Sequence, residues 1–163
     1  MRISAFVAGF KATSIASFAL ALLGVLPAHG QGWDSMADPQ QNSLGHSYCM
    51  LWQGDSRPMM QFTIRDDGAH FVVVAANEFS AVPQNGEATF RVPSGEIIIL
   101  KYAVPQSGVI LTSFTQSAFA QFLHHFERPG EFYISVDGKR VDFTATETAP
   151  MIATLWQCAA ALE

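Results

Sequence analysis

The sequence predicts an α+β domain, mostly an antiparallel β-sheet of about seven strands, with two helices near the C-terminal half and one disulfide. Three observations carry that expectation. Apolar and polar residues alternate with period two over several short runs separated by Asp-Gly or Asn-Gly pairs, the pattern of strands joined as hairpins. Two later segments switch to a helical period. Two cysteines, Cys49 and Cys158, are the only ones in the chain.

The chain opens as a secretory leader does. Arg2 and Lys11 supply positive charge, Ile15 to Leu26 form an uncharged apolar run, and Pro27, Ala28, His29 and Gly30 bring a helix breaker and small residues to the cut. Residues 1–30 are therefore expected to be a signal peptide, with the mature chain starting at Gln31. The competing reading is an uncleaved anchor from Ala12 to Ala28, barely long enough to span a bilayer. Its Ser and Thr content and the early proline argue against it. Removing 30 residues from 163 leaves 133, the length of a single domain.

The whole chain carries 9 basic and 14 acidic residues, a net charge of −5. Two of the bases lie in the leader and none of the acids does, so the remainder is more acidic still. A phosphate backbone is bound through clustered Lys and Arg, which this chain lacks, so nucleic acid is not expected as a partner. In an exported domain two cysteines are expected to pair. A bond that closes a loop of about 100 residues is worth ~4.7 kcal/mol in the chain-entropy model. Two free thiols are the alternative, and they would need a reducing compartment.

Residues 31–47 hold turn formers and polar side chains without a period and are expected to form a loose N-terminal arm, ahead of one β-rich domain over 48–163. From Met60 the alternation begins: Met60, Phe62 and Ile64 on one face, Gln61, Thr63 and Arg65 on the other. Asp66, Asp67 and Gly68 then signal a tight turn. His70 to Ala76 returns, and its continuous Phe71 to Val74 core suggests a strand covered on both faces, near the middle of the sheet. Asn85-Gly86 reads as a further turn. Ala88, Phe90 and Val92 alternate up to Pro93-Ser94-Gly95, and Glu96 to Tyr102 complete a second hairpin. A turn between Pro105 and Gly108 leads to a strand over Val109 to Phe114.

Phe119, Phe122, Leu123 and Phe126 then recur at i, i+3, i+4 and i+7, which predicts a helix over about Ser117 to Phe126 with Thr115 as its N-cap. Glu131 to Val136 and Lys139 to Thr144 alternate around Asp137-Gly138 as a third hairpin. Finally Thr148 can cap a helix with Pro150 in its first turn. Met151, Leu155, Trp156, Ala159 and Leu162 would line one side of that helix, with Cys158 beside the stripe.

No motif names a chemistry. His124 and His125 are adjacent, so on a helix they point about 100° apart and cannot readily hold one metal ion. His46, Met50, Met59 and Met60, with Cys49, are the residue types that bind cuprous copper, and a copper-binding periplasmic protein is one alternative. Methionine is also an ordinary core filler. No nucleophile elbow, zinc-protease helix or glycine-rich phosphate loop occurs. Asp66 and Asp67 are accounted for by their turn. A small envelope hydrolase in which His70, His124 or His125 works with a carboxylate is the second alternative.

The leading expectation is a non-catalytic binding module of the cell envelope, periplasmic or secreted, without a cofactor or metal and without a membrane span once the leader is cut. Its partner would be a protein or an envelope component. The candidate contact surface is Trp52 and Arg57 on the segment from Trp52 to Pro58, with Phe79 on the segment to Asn85, because Trp and Arg on loops are common anchors. The plainer reading is that Trp52 packs beneath the sheet.

Overall fold

The computed structural model describes residues 32–162. The expected signal peptide lies outside them. Ten strands and two helices follow in the order β1 (Trp33–Ser35), β2 (Gln40–Gln41), β3 (Ser47–Gln53), β4 (Met59–Arg65), β5 (His70–Ala75), β6 (Asn85–Arg91), β7 (Ile97–Gln106), β8 (Val109–Phe114), α1 (Gln116–His124), β9 (Gly130–Val136), β10 (Lys139–Ala145) and α2 (Thr148–Ala160). A 3₁₀ turn over Asn77–Ala81 joins β5 to β6. The strands form one sheet in the order β1-β3-β4-β5-β8-β7-β6-β9-β10, with β2 also on β3, and every pair is antiparallel. This is the mostly antiparallel α+β arrangement expected.

Local turn chemistry sets the hairpins. Gly68 donates to the Arg65 carbonyl at 3.1 Å, with φ of 79°, and Gly95 does the same to Val92 at 2.8 Å with φ of 83°. Both are three-residue loops whose last residue must be left-handed, a conformation glycine adopts without strain. The Asp137-Gly138 turn is the two-residue kind, positive φ at both positions (50° and 74°).

The sheet curls around α1. Phe122, fully buried on α1, lies 6.1 Å from Phe62 of β4 and 5.3 Å from Phe90 of β6. Those strands are separated by three others, so one side chain can touch both only if the sheet bends round the helix. Phe126 continues the cluster to Phe132 of β9 at 5.0 Å. The two sheet ends then meet. Trp33 Nε1 on β1 donates to the Thr144 carbonyl on β10 at 2.9 Å, and Gln53 Nε2 donates to the same oxygen at 3.0 Å. Cys49 on β3 is bonded to Cys158 on α2, with Cα atoms 5.9 Å apart.

Five expectations are corrected. The arm expected over 31–47 is built into the sheet: β1 and β2 pair with β3, and Trp33 and Met36 are buried. β3 escaped the sequence reading because Tyr48 to Gln53 are buried on both faces, which erases alternation. Asn85-Gly86 is not a turn but the start of β6, where a Cβ on Gly86 would meet the Tyr102 ring at 3.2 Å. β7 runs on through Pro105, tolerated there because the register shifts between Ala103 and Gln106. Thr148 opens α2 as its first residue and Glu147 stands at the cap position, while the side most deeply buried is Ile152, Leu155 and Cys158. Cys158 is fully buried at the disulfide, and Trp156 and Ala159 are only partly buried beside it.

Candidate functional site: a groove beside the closing helix

The β4–β5 turn projects beyond the sheet beside the last turns of α2, and between them lies a groove of about 500 Å³. One wall is apolar: Trp156, Ala159 and Leu162 of the C-terminal segment with Ile64 of β4. The polar part of the lining is Arg65, Asp66, Gly68, His70 and Gln116.

Asp66, Arg65 and His70 are each held by hydrogen bonds. Asp66 Oδ2 accepts from the Ser47 backbone N–H at 2.7 Å, and its Oδ1 lies 3.2 Å from His46 Nδ1. The Ser47 bond is the main reason its carboxyl sits below the ordinary carboxylate range; His46 lowers it further against partial desolvation. Arg65 Nε donates to Asp67 Oδ1 at 2.7 Å, and its Nη2 pairs with the other oxygen, so a bidentate fork holds the Asp67 carboxyl low as well. His70 Nδ1 lies 2.9 Å from the Gly68 carbonyl. A carbonyl only accepts, so Nδ1 is a protonated donor to it, and the bond fixes the orientation of the ring. The ring sits edge-on to Phe119, 5.2 Å away.

Chemically this is a receptor with two kinds of wall. An apolar body can lie against Trp156 while a polar end meets Arg65, Asp66 and His70. Neither Ser nor Cys lines it, and Asp66 is already engaged and favoured as the anion, which unfits it as a proton donor near neutral pH.

The other sequence candidates are dispersed. His124 is exposed and lies 2.7 Å from Glu127, whereas His125 faces Glu96 at 3.7 Å. Among the described residues no three His, Cys, Asp or Glu groups converge on a possible metal position. The copper set does not assemble: the Cys49 sulfur is bonded to Cys158, and the register sends Met50 and Met60 to opposite faces of the sheet. The contact surface also needs correction. Trp52 is buried on β3 and Phe79 fully buried in the 3₁₀ turn, because both fill the sheet's surfaces. Arg57 alone of the three is exposed, with Nη2 donating to the Ser107 carbonyl at 3.1 Å.

The groove's apolar wall was missed as a site. Its signal was present: Trp156 and Ala159 are spaced i, i+3, so a large and a small side chain stack on one helix flank and leave a hollow.

Fold and site together define a disulfide-clamped antiparallel sheet, curled round one helix, with an amphipathic groove against the other. No family model matches this chain, and no curated protein or solved structure is significantly similar to it. Among the described residues no helix is long and apolar enough to cross a membrane.

Proposed function

We propose that this chain is an exported, non-catalytic binding module of the cell envelope, periplasmic or secreted, that receives a protein segment or envelope component in the groove beside α2. The observation that carries the reading is the groove's composition: an apolar wall of Trp156, Ala159 and Leu162 facing fixed polar groups, without Ser or Cys among its lining. Ligand sites are commonly apolar clefts with a few fixed polar groups. The leader-like start and the disulfide both favour an oxidising destination.

The test fills the groove. The domain from Gln31, produced with its disulfide, is used as bait on envelope extract beside the variant Ala159→Arg. Capture of a component by the parent and its loss from the variant is expected. Equal capture by both would place binding elsewhere, and no capture by either would remove the proposal.

One observation favours a second reading, a small hydrolase: His70 and Asp66 line the same groove. Hydrolysis of an envelope polymer that disappears in His70→Ala would support it. Identical traces for parent and variant would end it.

A further inference from the structure

The groove beside α2 carries a charge imbalance. The ionisable groups in its lining are Arg65, Asp66 and His70. Arg65 is forked by Asp67, so its positive charge is balanced on its own turn. Asp66 has no such balance. The Ser47 N–H that holds it is a neutral donor, and its other near neighbour, at 3.2 Å, is His46. While His46 and His70 are neutral, Asp66 is the uncompensated charge among the described residues of the lining. Each carboxylate oxygen is engaged once and keeps a second lone pair for an incoming donor.

Two neighbours act in the same direction. Ala159 and Ala160, in the last turn of α2, line the groove. A helix C-terminus carries about half a negative charge and favours a cation beside it. α2 supplies none, since it has no Lys, Arg or His along its length. Trp156 is half-buried, meets Phe119 at 86°, and lines the groove as well. Among aromatic rings the indole attracts a cation most strongly.

We propose, resting on the reading of the groove as a binding site, that it takes a basic side chain of a partner protein segment, an arginine or lysine whose charged head meets Asp66 and whose stem lies along Trp156, Ala159 and Leu162. The stems of these two residues are apolar and lie along apolar surface while the head stays among polar groups, which is the division of this lining. Gln116 offers both a donor and an acceptor, the pair that a peptide group requires, so the fit is to a polypeptide rather than to a free amine. An acidic segment would bring like charge to Asp66 and to the end of α2. The chain as a whole, with 14 acidic and 9 basic residues, also draws a basic partner from a distance.

The experiment varies the charge of the ligand at constant shape. The full chain is expressed and its oxidised, exported product recovered. Three blocked peptides, acetyl-Leu-Arg-Leu-amide and its counterparts with citrulline or glutamate at the centre, are titrated into it at about pH 8, where histidine is neutral. Amide chemical shifts report the site. The arginine peptide should move the amides of Asp66, Gly68, Ala159 and Ala160 and bind roughly fivefold or more tightly than the citrulline peptide. The glutamate peptide should bind most weakly, and added salt should narrow the differences. In Asp66→Asn, whose side-chain oxygen can still accept from Ser47 and whose fold is checked by near-UV circular dichroism, the arginine peptide should fall to the affinity of the citrulline peptide. Equal binding of the arginine and citrulline peptides at these amides would overturn the inference yet leave the groove a binding site. Silence of these amides with all three peptides would overturn it as well. The reading of the groove itself falls only if Ala159→Arg also leaves capture from envelope extract unchanged.

Discussion

Single residues show how much of the local reading depends on neighbours the sequence cannot display. Gly45 and Gly54 share a φ of 85°, yet a Cβ on Gly45 meets nothing within 4 Å, and one on Gly54 would lie 2.6 Å from the Pro58 carbonyl oxygen. Gly45→Ala should cost ~1 kcal/mol, the left-handed penalty alone. Gly54→Ala should cost more than ~2 kcal/mol, because a backbone atom must also move. Equal shifts in denaturant midpoint would show that the loop relaxes freely. Gly86 teaches the converse: read as a turn, it is instead the floor beneath Tyr102, a cross-strand relation that no local pattern carries.

Titration belongs to the same scale. Asp66, held chiefly by the Ser47 N–H, and Asp67, held chiefly by Arg65, both have folded pKa values below their unfolded ones. Their contribution to stability is complete above the unfolded value and is lost as pH falls through the folded one. Stability should therefore decline from about pH 4 downward, and less steeply in a doubly substituted Asp66→Asn, Asp67→Asn chain. Superimposable pH profiles for parent and variant would show that neither carboxylate matters.

At the scale of elements, legibility follows the range of the forces involved. The three hairpins and α1 were readable because turn residues and a 3.6-residue period act within a few positions. β1 and β2 were not, since three and two residues have no period and become strands only by pairing with β3. α1 offers a test that separates local from tertiary support. Thr115 Oγ1 accepts from the Ala118 N–H at 3.3 Å, so Thr115→Ala should cost ~1 kcal/mol. Phe122 packs against Phe62, Phe90, Phe114 and Phe126, and Phe122→Ala should cost ~3–5 kcal/mol. If urea denaturation gave the two variants equal losses, α1 would not be the core about which the sheet bends.

At the scale of the molecule the question is what keeps a curled sheet closed. The disulfide pair was legible because only two cysteines exist, but the groove was not: it depends on α2 lying beside the β4–β5 turn, with 82 residues between Arg65 and Thr148 in sequence. Two fastenings join the beginning of the sheet to its end. One is the bond from Cys49 to Cys158, closing a separation of 109 residues; the other is the pair of hydrogen bonds from Trp33 and Gln53 to the Thr144 carbonyl. The chain-entropy model assigns such a bond ~4 to 5 kcal/mol through the unfolded chain. An effect on the unfolded state alone would lower the protection of all globally exchanging amides together. The folded geometry implies something more local, since α2 would then be held against β1 and β3 by the packing of Ile152 and Leu155 alone, and β10 chiefly by the bonds from Trp33 and Gln53. In Cys158→Ser the amides of α2 and β10 should therefore lose more exchange protection than those of β4 and β5, and the melting temperature should fall substantially. Uniform loss across all four elements would show that the sulfur bridge acts on the unfolded chain and that the sheet closes without it.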